Sequence, residues 1–262
     1  MTTTDIIEAI DWRGAPVDCA ACPHGNLLAT QKCLPLRACV QDRYARRIDR
    51  FFDWNPELGS AYLDHPYFEV RACAAKTADI FRLPALLSDS EEAVRWSAAR
   101  RLPTRYLVKL RTDLHREVRI RVAQRLDPAD LRPMIGDEDY AVRQVVARRI
   151  APDLLFFMTE DPDVEVRRVV ARRIPPPGLL RLMFDPDARV RIEAAQRLEP
   201  DDLAQLAADE DWRVRYEVAF RAPRPVSAQL AEDEDPIVRE TAQERLRPPL
   251  KTVNQPPIEE EP

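Results

Sequence analysis

A chain of 262 residues, 45% of them hydrophobic and 7% aromatic, has room for one or two domains with a buried core. Five glycines against 24 prolines argue against a β-rich enzyme, which needs glycine at its tight turns, and favour helices whose short connections are set by proline. The net charge of −5, from 40 basic and 45 acidic residues, draws the chain neither to nucleic acid nor to an anionic membrane, and no apolar run approaches the roughly 20 residues of a membrane span.

The first residues, MTTTDIIEAIDW, lack the basic region and apolar stretch of a secretory signal, so the expected location is the cytoplasm. In that compartment clustered cysteines serve as metal ligands or catalytic thiols more readily than as disulfides. Four of the five cysteines lie in residues 17–39, VDCAACPHGNLLATQKCLPLRAC, as Cys19-x2-Cys22-x10-Cys33-x5-Cys39. A lone CxxC would suit a redox pair beside a strand–helix unit, but it would leave Cys33 and Cys39 unexplained. Four thiolates in one short segment suit a tetrahedral cage, which zinc and an iron–sulfur cluster both accept. Spacing does not separate the two: the second pair is CxxxxxC rather than a zinc knuckle, and the CxxCxxC run of bacterial ferredoxins is also missing. His24 can replace one thiolate in principle, although between Pro23 and Gly25 it reads as a loop residue.

Cys39 opens an expected helix, CVQDRYARRIDRFFDW, whose N-terminal amides, with Lys32, Arg37 and Arg43, would favour an anionic site. The stretch NPELGSAYLDHP then suggests a junction near residues 55 to 64. A domain of this size commonly needs a metal to supplement its limited core.

From there a period governs the chain. Val-Arg occurs at Val70, Val94, Val118, Val142, Val166, Val190, Val214 and Val238, every 24 residues through eight copies without an insertion. That is a repeat array. Five residues after each Val stands Ala (Ala75 to Ala219, with Gln243 breaking the column), and eight after it a mostly apolar residue such as Leu102 or Ile150. Thirteen and sixteen after it stand Leu83 to Leu203 and Leu86 to Leu230. Nineteen after it is always Asp, from Asp89 to Asp233.

Apolar positions 0, +4, +5 and +8 lie on one side of a helix of about three turns. In DPDVEVRRVVARRI, Asp161 is the expected N-cap and Pro162 the first helical residue. The ten or so remaining residues are too few for a second full helix, but they allow a short 3₁₀ or α turn carrying the +13 and +16 residues. No segment alternates with period two, so no sheet is expected. Each unit is one α-helix plus one short turn, and must stack on its neighbours to bury its apolar stripe.

The Arg after each Val falls at about 100° on the helix, inside the packing stripe. Its expected partners are the Asp column and the acid four residues upstream (Asp139, Asp163, Asp187, Asp211), in a structural ladder whose loss, as in Arg143→Ala or Arg167→Ala, should destabilise the array. A second Arg column at +7, Arg101 to Arg245, is placed to complement helix C-termini. With acids at helix starts and the +6 and +7 bases, such as Arg148-Arg149 and Arg172-Arg173, at helix ends, the array is expected to have one acidic rim and one basic rim able to hold phosphate or an acidic protein partner. Cys73 reads as a small residue near the junction rather than a fifth ligand, Trp96, Trp212 and Tyr216 as packing residues, and PPPG at 175–178 as a stiff loop. Beyond Leu250, KTVNQPPIEEEP has the composition of a disordered acidic tail.

The unit D-x-x-x-x-V-R-x-x-[AV]-A-x-R-L followed by L-x-x-L resembles the leucine-rich repeat variant family over residues 64 to about 250. HEAT-like repeats share its D…VR…A pattern but are longer, with two full helices. The resemblance implies an all-α right-handed superhelix of alternating α- and 3₁₀-helices. A four-cysteine domain before such an array is similar to the iron–sulfur form of that family, noted in nitrogen-fixing bacteria. That likeness implies a [4Fe–4S] cluster on Cys19, Cys22, Cys33 and Cys39, with zinc as the alternative.

The expected organisation is therefore a cluster domain (1–62), a solenoid of eight repeats (63–250) and a tail (251–262). There is no phosphate-binding glycine loop, no Ser/His/Asp arrangement and no HExxH, and the only histidines are His24, His65 and His115. The expected function is non-catalytic: a binding or regulatory protein whose cluster is structural or senses iron and oxygen, and whose solenoid holds a protein partner. The alternatives are an electron-transfer protein that docks a redox enzyme and a zinc-containing nucleic-acid binder.

Overall fold

The computed structural model describes residues 8–247, so the tail at 251–262 and the last three residues of the array, through Leu250, lie outside the described residues. Among the described residues there is no strand. Only isolated bridges form, joining Ile10 to Pro16, Asp11 to Asp42 and Leu34 to Ala38. The chain divides into two compact units, Met1–Arg149 and Ile150–Pro262.

In the first unit a short helix, Asn26–Ala29, a longer one, Ala45–Trp54, and a 3₁₀ helix, Pro56–Tyr62, precede the repeats. The repeat helices Phe68–Ala74, Glu92–Ala99, Arg116–Arg125 and Tyr140–Arg149 then alternate with the short returns Ile80–Ser88, Thr104–Leu107 with Val108–Thr112, and Pro128–Met134. The second unit continues with helices Val164–Arg173, Ala188–Ala195, Trp212–Arg221 and Pro236–Leu246, and with returns at Pro152–Met158, Pro176–Leu182, Pro200–Leu206 and Arg224–Gln229.

The columns explain this alternation. Every repeat Val is buried, as is every Ala of the +5 column and every residue of the +13 and +16 columns from Leu83 to Leu230. A small residue at +5 lets helices approach closely, while the return supplies the large side chains that fill the space between them. Both return types occur, as a spacing of three allows: four are 3₁₀, Pro176–Leu182 and Arg224–Gln229 are α-helical, and Thr104–Leu107 is an α turn that runs into the 3₁₀ Val108–Thr112. PPPG is thus a helix start and not a loop. Pro175 is its N-cap residue, and proline at the first helical positions has no N–H to leave unsatisfied. A Cβ at Gly178 would run into the Ile174 side chain and lie 3.2 Å from Phe156 Cε1.

Six of the arginines that follow a repeat Val form the ladder with one of the two expected partners. In the first unit Arg95 donates from Nε and Nη2 to Asp113, both at 2.7 Å, and from Nη1 to the carbonyls of Asp89 and Ser90 at 2.9 and 3.0 Å. Arg71 and Arg119 do the same with Asp89 and Asp137, and in the second unit Arg167, Arg191 and Arg215 pair with Asp185, Asp209 and Asp233. Each fork spans 18 residues, so it staples one repeat to the next.

The acid four residues upstream has a different task from the one expected. Asp163 is the N-cap, accepting the Glu165 and Val166 amides at 2.9 and 3.2 Å, and Asp187, Asp211 and Asp235 cap in the same way. Asp161 therefore does not cap the helix. Its Oδ1 accepts the Asp163 amide at 2.9 Å in the turn before it, and Pro162 lies outside the helix. The reason is reach: a cap oxygen must stand two or three residues before its amides, and Val164, not Pro162, begins the helix.

The +7 arginines close the other end of the helices. Arg125 and Arg221 donate to the Leu102 and Leu198 carbonyls at 2.8 Å, and Arg197 to the Ala171 carbonyl at 2.6 Å, each at the C-terminus of the preceding repeat helix. They satisfy carbonyls that a helix end leaves without partners. This half of the expected basic rim is engaged inside the stack. Trp212, expected in the packing, opens its helix at 40% exposure, while Tyr216 stacks on Phe220.

Acids of the ladder and of the helix caps make stability acid-sensitive. The Asp233 carboxyl is held below its ordinary value of 3.8 by the Arg215 hydrogen bond, and Asp187 and Asp211 are held down by Arg189 and Arg213. At Asp89 burial pushes upward, but the Arg71 fork and the Glu91 amide outweigh it. Groups that ionise more readily folded than unfolded contribute stability above the unfolded value, and lose it as pH falls through the depressed folded values. The melting temperature should be nearly flat from about pH 7 to 5 and drop steeply below about 4, with a shallower drop in Asp233→Asn. A pH-independent melt across that range would remove the ionic role of the ladder.

Candidate metal centre

The four cysteines come from loops that the backbone folds back on themselves. Gly25 N–H donates to the Cys22 carbonyl at 3.1 Å, and a Cβ at Gly25 would stand 3.1 Å from the Cys19 carbonyl, so the CxxC loop is closed tightly. Between Cys33 and Cys39, Leu34 and Ala38 exchange backbone hydrogen bonds at 2.9 and 2.8 Å, and Leu36 at the tip has φ +65°. A leucine seldom takes the left-handed region, and here it lets Cys33 and Cys39 return to the same side.

Cys33 and Cys39 are buried, and Cys19 and Cys22 half-buried. The thiols act on one another. A hydrogen bond from Cys33 lowers the Cys39 thiol to about 7 against the upward push of burial, with the Gln41 and Asp42 amides helping. The same bond, together with burial and the charges of the other three, pushes Cys33 up. Burial raises Cys19, as do the charges of Cys39 and Cys22. Among the described residues no three His, Cys, Asp or Glu side chains are close enough to hold a single metal ion. The four thiols form a soft donor set with no carboxylate among them, of the kind that an iron–sulfur cluster takes through several irons rather than one ion.

The amides that serve Cys39 do not belong to a helix, contrary to the sequence expectation. The helix begins at Ala45, six residues later. Asp42 is fully buried in the intervening turn, where it accepts the Tyr44 amide at 2.9 Å and Arg47 Nη1 at 3.0 Å. A buried carboxylate satisfied in this way holds the backbone open as a turn.

An aromatic wall, which the sequence reading missed, closes the pocket. His24 Nε2 shares a hydrogen bond with the Tyr62 hydroxyl at 2.5 Å, so that nitrogen is engaged. Burial pushes the Tyr62 hydroxyl up to about 12, with the neighbouring Cys22 and Cys39 adding to the effect. Phe51, Phe52 and Tyr62 pack edge-on, and His24 tilts against Phe51. Asn55, fully buried after the helix, donates from Nδ2 to the Lys32 and Phe51 carbonyls at 2.8 Å and so pins the segment leading into Cys33. An asparagine directly after a helix with one apolar face is the one available sign. Cys73 lies apart, its Sγ 3.7 Å from the Ala45 carbonyl and its thiol pushed up to about 12 by burial, as a packing residue.

The pocket is joined to the repeats through Gly59. A Cβ there would stand 2.8 Å from Ala78 N and 2.9 Å from the Ala74 carbonyl, and would strike Thr77 as well. Backbone cannot yield as a side-chain tip can. Gly59→Ala should therefore cost about 1–3 kcal/mol and loosen both the Tyr62 wall and the first repeat, as amide exchange at Phe68–Ala78 would record. Unchanged exchange there would show that the two are not coupled.

A soft thiol pocket packed on a stack of α-helices and short returns defines a helical repeat protein with a metal-cluster domain. Residues 9–61 match the domain family described as "LRV protein FeS4 cluster". A solved structure described as a leucine-rich repeat variant with a novel repetitive structural motif superposes with a TM-score of 0.82 at 42% identity, covering 88% of this chain and 99% of that one. The chain belongs to the leucine-rich repeat variant family. It is also 50% identical over 99 residues to an uncharacterized 27.7 kDa protein in the nifB 3' region of Rhodobacter capsulatus, a match covering 38% of this chain and 40% of that protein's length. No helix among the described residues is long and apolar enough to cross a membrane.

Proposed function

We propose that this chain is a non-catalytic cytoplasmic binding protein in which a [4Fe–4S] cluster on Cys19, Cys22, Cys33 and Cys39 orders the N-terminal end of a partner-binding repeat array. The observation that carries this reading is the path from the pocket to the array: Cys22 and Cys39 beside Tyr62, Tyr62 on the 3₁₀ helix Pro56–Tyr62, and Gly59 of that helix against Ala74, Thr77 and Ala78. When bound, the cluster supplies four metal–thiolate bonds that tie distant loops together, so its binding energy is also folding energy. Cys39 is an anchor poised to ionise, Asn55 orients the approach to Cys33, and the aromatic wall keeps water from one side. The proposed sensing mechanism is loss of the cluster to oxygen or iron shortage, followed by loosening of the first repeats and altered partner binding.

Anaerobic purification with iron, sulfide and zinc analysis tests the ligand, and partner capture before and after air exposure tests the sensing. Four iron and four sulfide per chain are expected; stoichiometric zinc instead, or partner binding that ignores cluster loss, would overturn the reading. A second reading, electron transfer to a docked redox protein, is favoured by the half-buried Cys19 and Cys22, which bring one edge of the pocket to the surface. It requires a reversible one-electron wave in voltammetry.

A further inference from the structure

The third residue after a repeat Val meets the sixth residue of the preceding repeat. In the second unit Glu193 holds the first of these places. Its carboxylate accepts Arg172 Nε at 2.7 Å, Arg172 Nη2 as well, and Arg168 Nη2 at 3.0 Å. One repeat on, Gln196 Nε2 donates to Glu217 Oε1 at 2.9 Å in the same relation. At these two repeats the place is filled by a carboxylate.

In the first unit the corresponding pair is Lys76 and Ser97. Ser97 is 7% exposed and too short to fill the place, and a cavity of about 160 Å³ remains, lined by Lys76, Ser97, Arg100 and Arg101. Arg101 Nη1 donates to the Ala75 and Ala78 carbonyls at 3.0 and 2.5 Å, and Arg100 lies over the Trp96 ring at 5.8 Å, so both guanidinium groups are held near the cavity. Two carboxylates face Lys76: Asp49, at 2.7 Å from its Nζ, and Glu69. Three cations against two anions leave the site positive, with the Arg100 side uncompensated by either.

We propose that this cavity binds a small oxyanion, a phosphate or a carboxylate, in the place that the Glu193 carboxylate fills elsewhere in the array. A free anion and an acidic side chain of a partner offer the same oxygens, and charge-assisted bonds to guanidinium and ammonium groups suit either.

The test uses the full chain, purified anaerobically and titrated by calorimetry with inorganic phosphate and, separately, with acetate as the carboxylate probe, against chloride of equal ionic strength. Saturable binding of either probe is expected, and whichever binds identifies the oxyanion class. Ser97→Glu should weaken it at least about tenfold, because a tethered carboxylate then occupies the place, and Arg100→Gln should weaken it by roughly the same factor through loss of a charged donor. If Ser97→Glu does not fold, judged by circular dichroism, Arg100→Gln alone decides. A response matched by chloride, or Arg100→Gln binding as tightly as the parent, would overturn the proposal.

Discussion

Cys39→Ala should yield a chain without stoichiometric iron or sulfide whose residues 9–61 have lost their tertiary structure. Cys39 is 3% exposed and the Cys33 hydrogen bond lowers its thiol to about 7. The apolar core beneath it is small: Ile48, Phe51 and Phe52 are its fully buried large side chains. A domain of this size draws only about 3–5 kcal/mol from its core, whereas structural metal binding supplies on the order of 10 kcal/mol. Removing one of four anchors should therefore exceed what remains. Iron and sulfide assay, near-ultraviolet circular dichroism of the aromatic wall and amide exchange of residues 9–61 report the loss. Cys73→Ala is the control: its sulfur lies by the Ala45 carbonyl and Asp49, apart from the four, so the variant should keep its iron. Full iron content in Cys39→Ala would remove that residue from the ligand set.

Arg167→Ala should destabilise the second unit by about 3–5 kcal/mol, the usual cost of breaking a buried pair from one side. The guanidinium spends Nε and Nη2 on Asp185 at 2.7 and 3.0 Å and Nη1 on the Asp161 carbonyl at 2.8 Å, while the Asp185 side chain is only 3% exposed. Truncation leaves that carboxylate buried without its fork and a carbonyl without a donor. Arg167→Lys should recover less than half, because a single ammonium cannot serve both oxygens and the carbonyl in one plane. Arg167→Ala with Asp185→Ala should be milder than the two single losses added together, since the second change removes the stranded charge. Denaturant melts of the four proteins check this. Equal stability of Arg167→Ala and the parent would mean that the ladder holds nothing together.

Partner geometry explains where sequence reading stopped. The +1 arginines were placed in the packing stripe correctly, yet two acids, one 18 residues ahead and one four residues behind, both met the requirement of opposite charge. The near one is taken by the helix amides, as Asp163 shows, and the far one is free for the fork. Likewise the +7 arginines were read as serving a helix end, but the end is that of the preceding repeat. In the four-cysteine segment the ligand candidates stood out by residue type alone. Tyr62, 38 residues from His24, carried no mark of its place beside them, and Asp42 turned the expected helix start into a loop.

By itself the order of residues determined the all-α repeat, its 24-residue period and the inward columns of Val, Ala and Leu, because helix geometry is local and a period repeats its face. It also singled out the four thiols, because so few residue types bind soft metals. Tertiary structure alone decided which acid caps and which one staples, which repeat each arginine closes, and how the aromatic wall and Gly59 join the thiol pocket to the first helix. Those choices depend on distances between elements remote in the chain, which are set only once the helices have stacked.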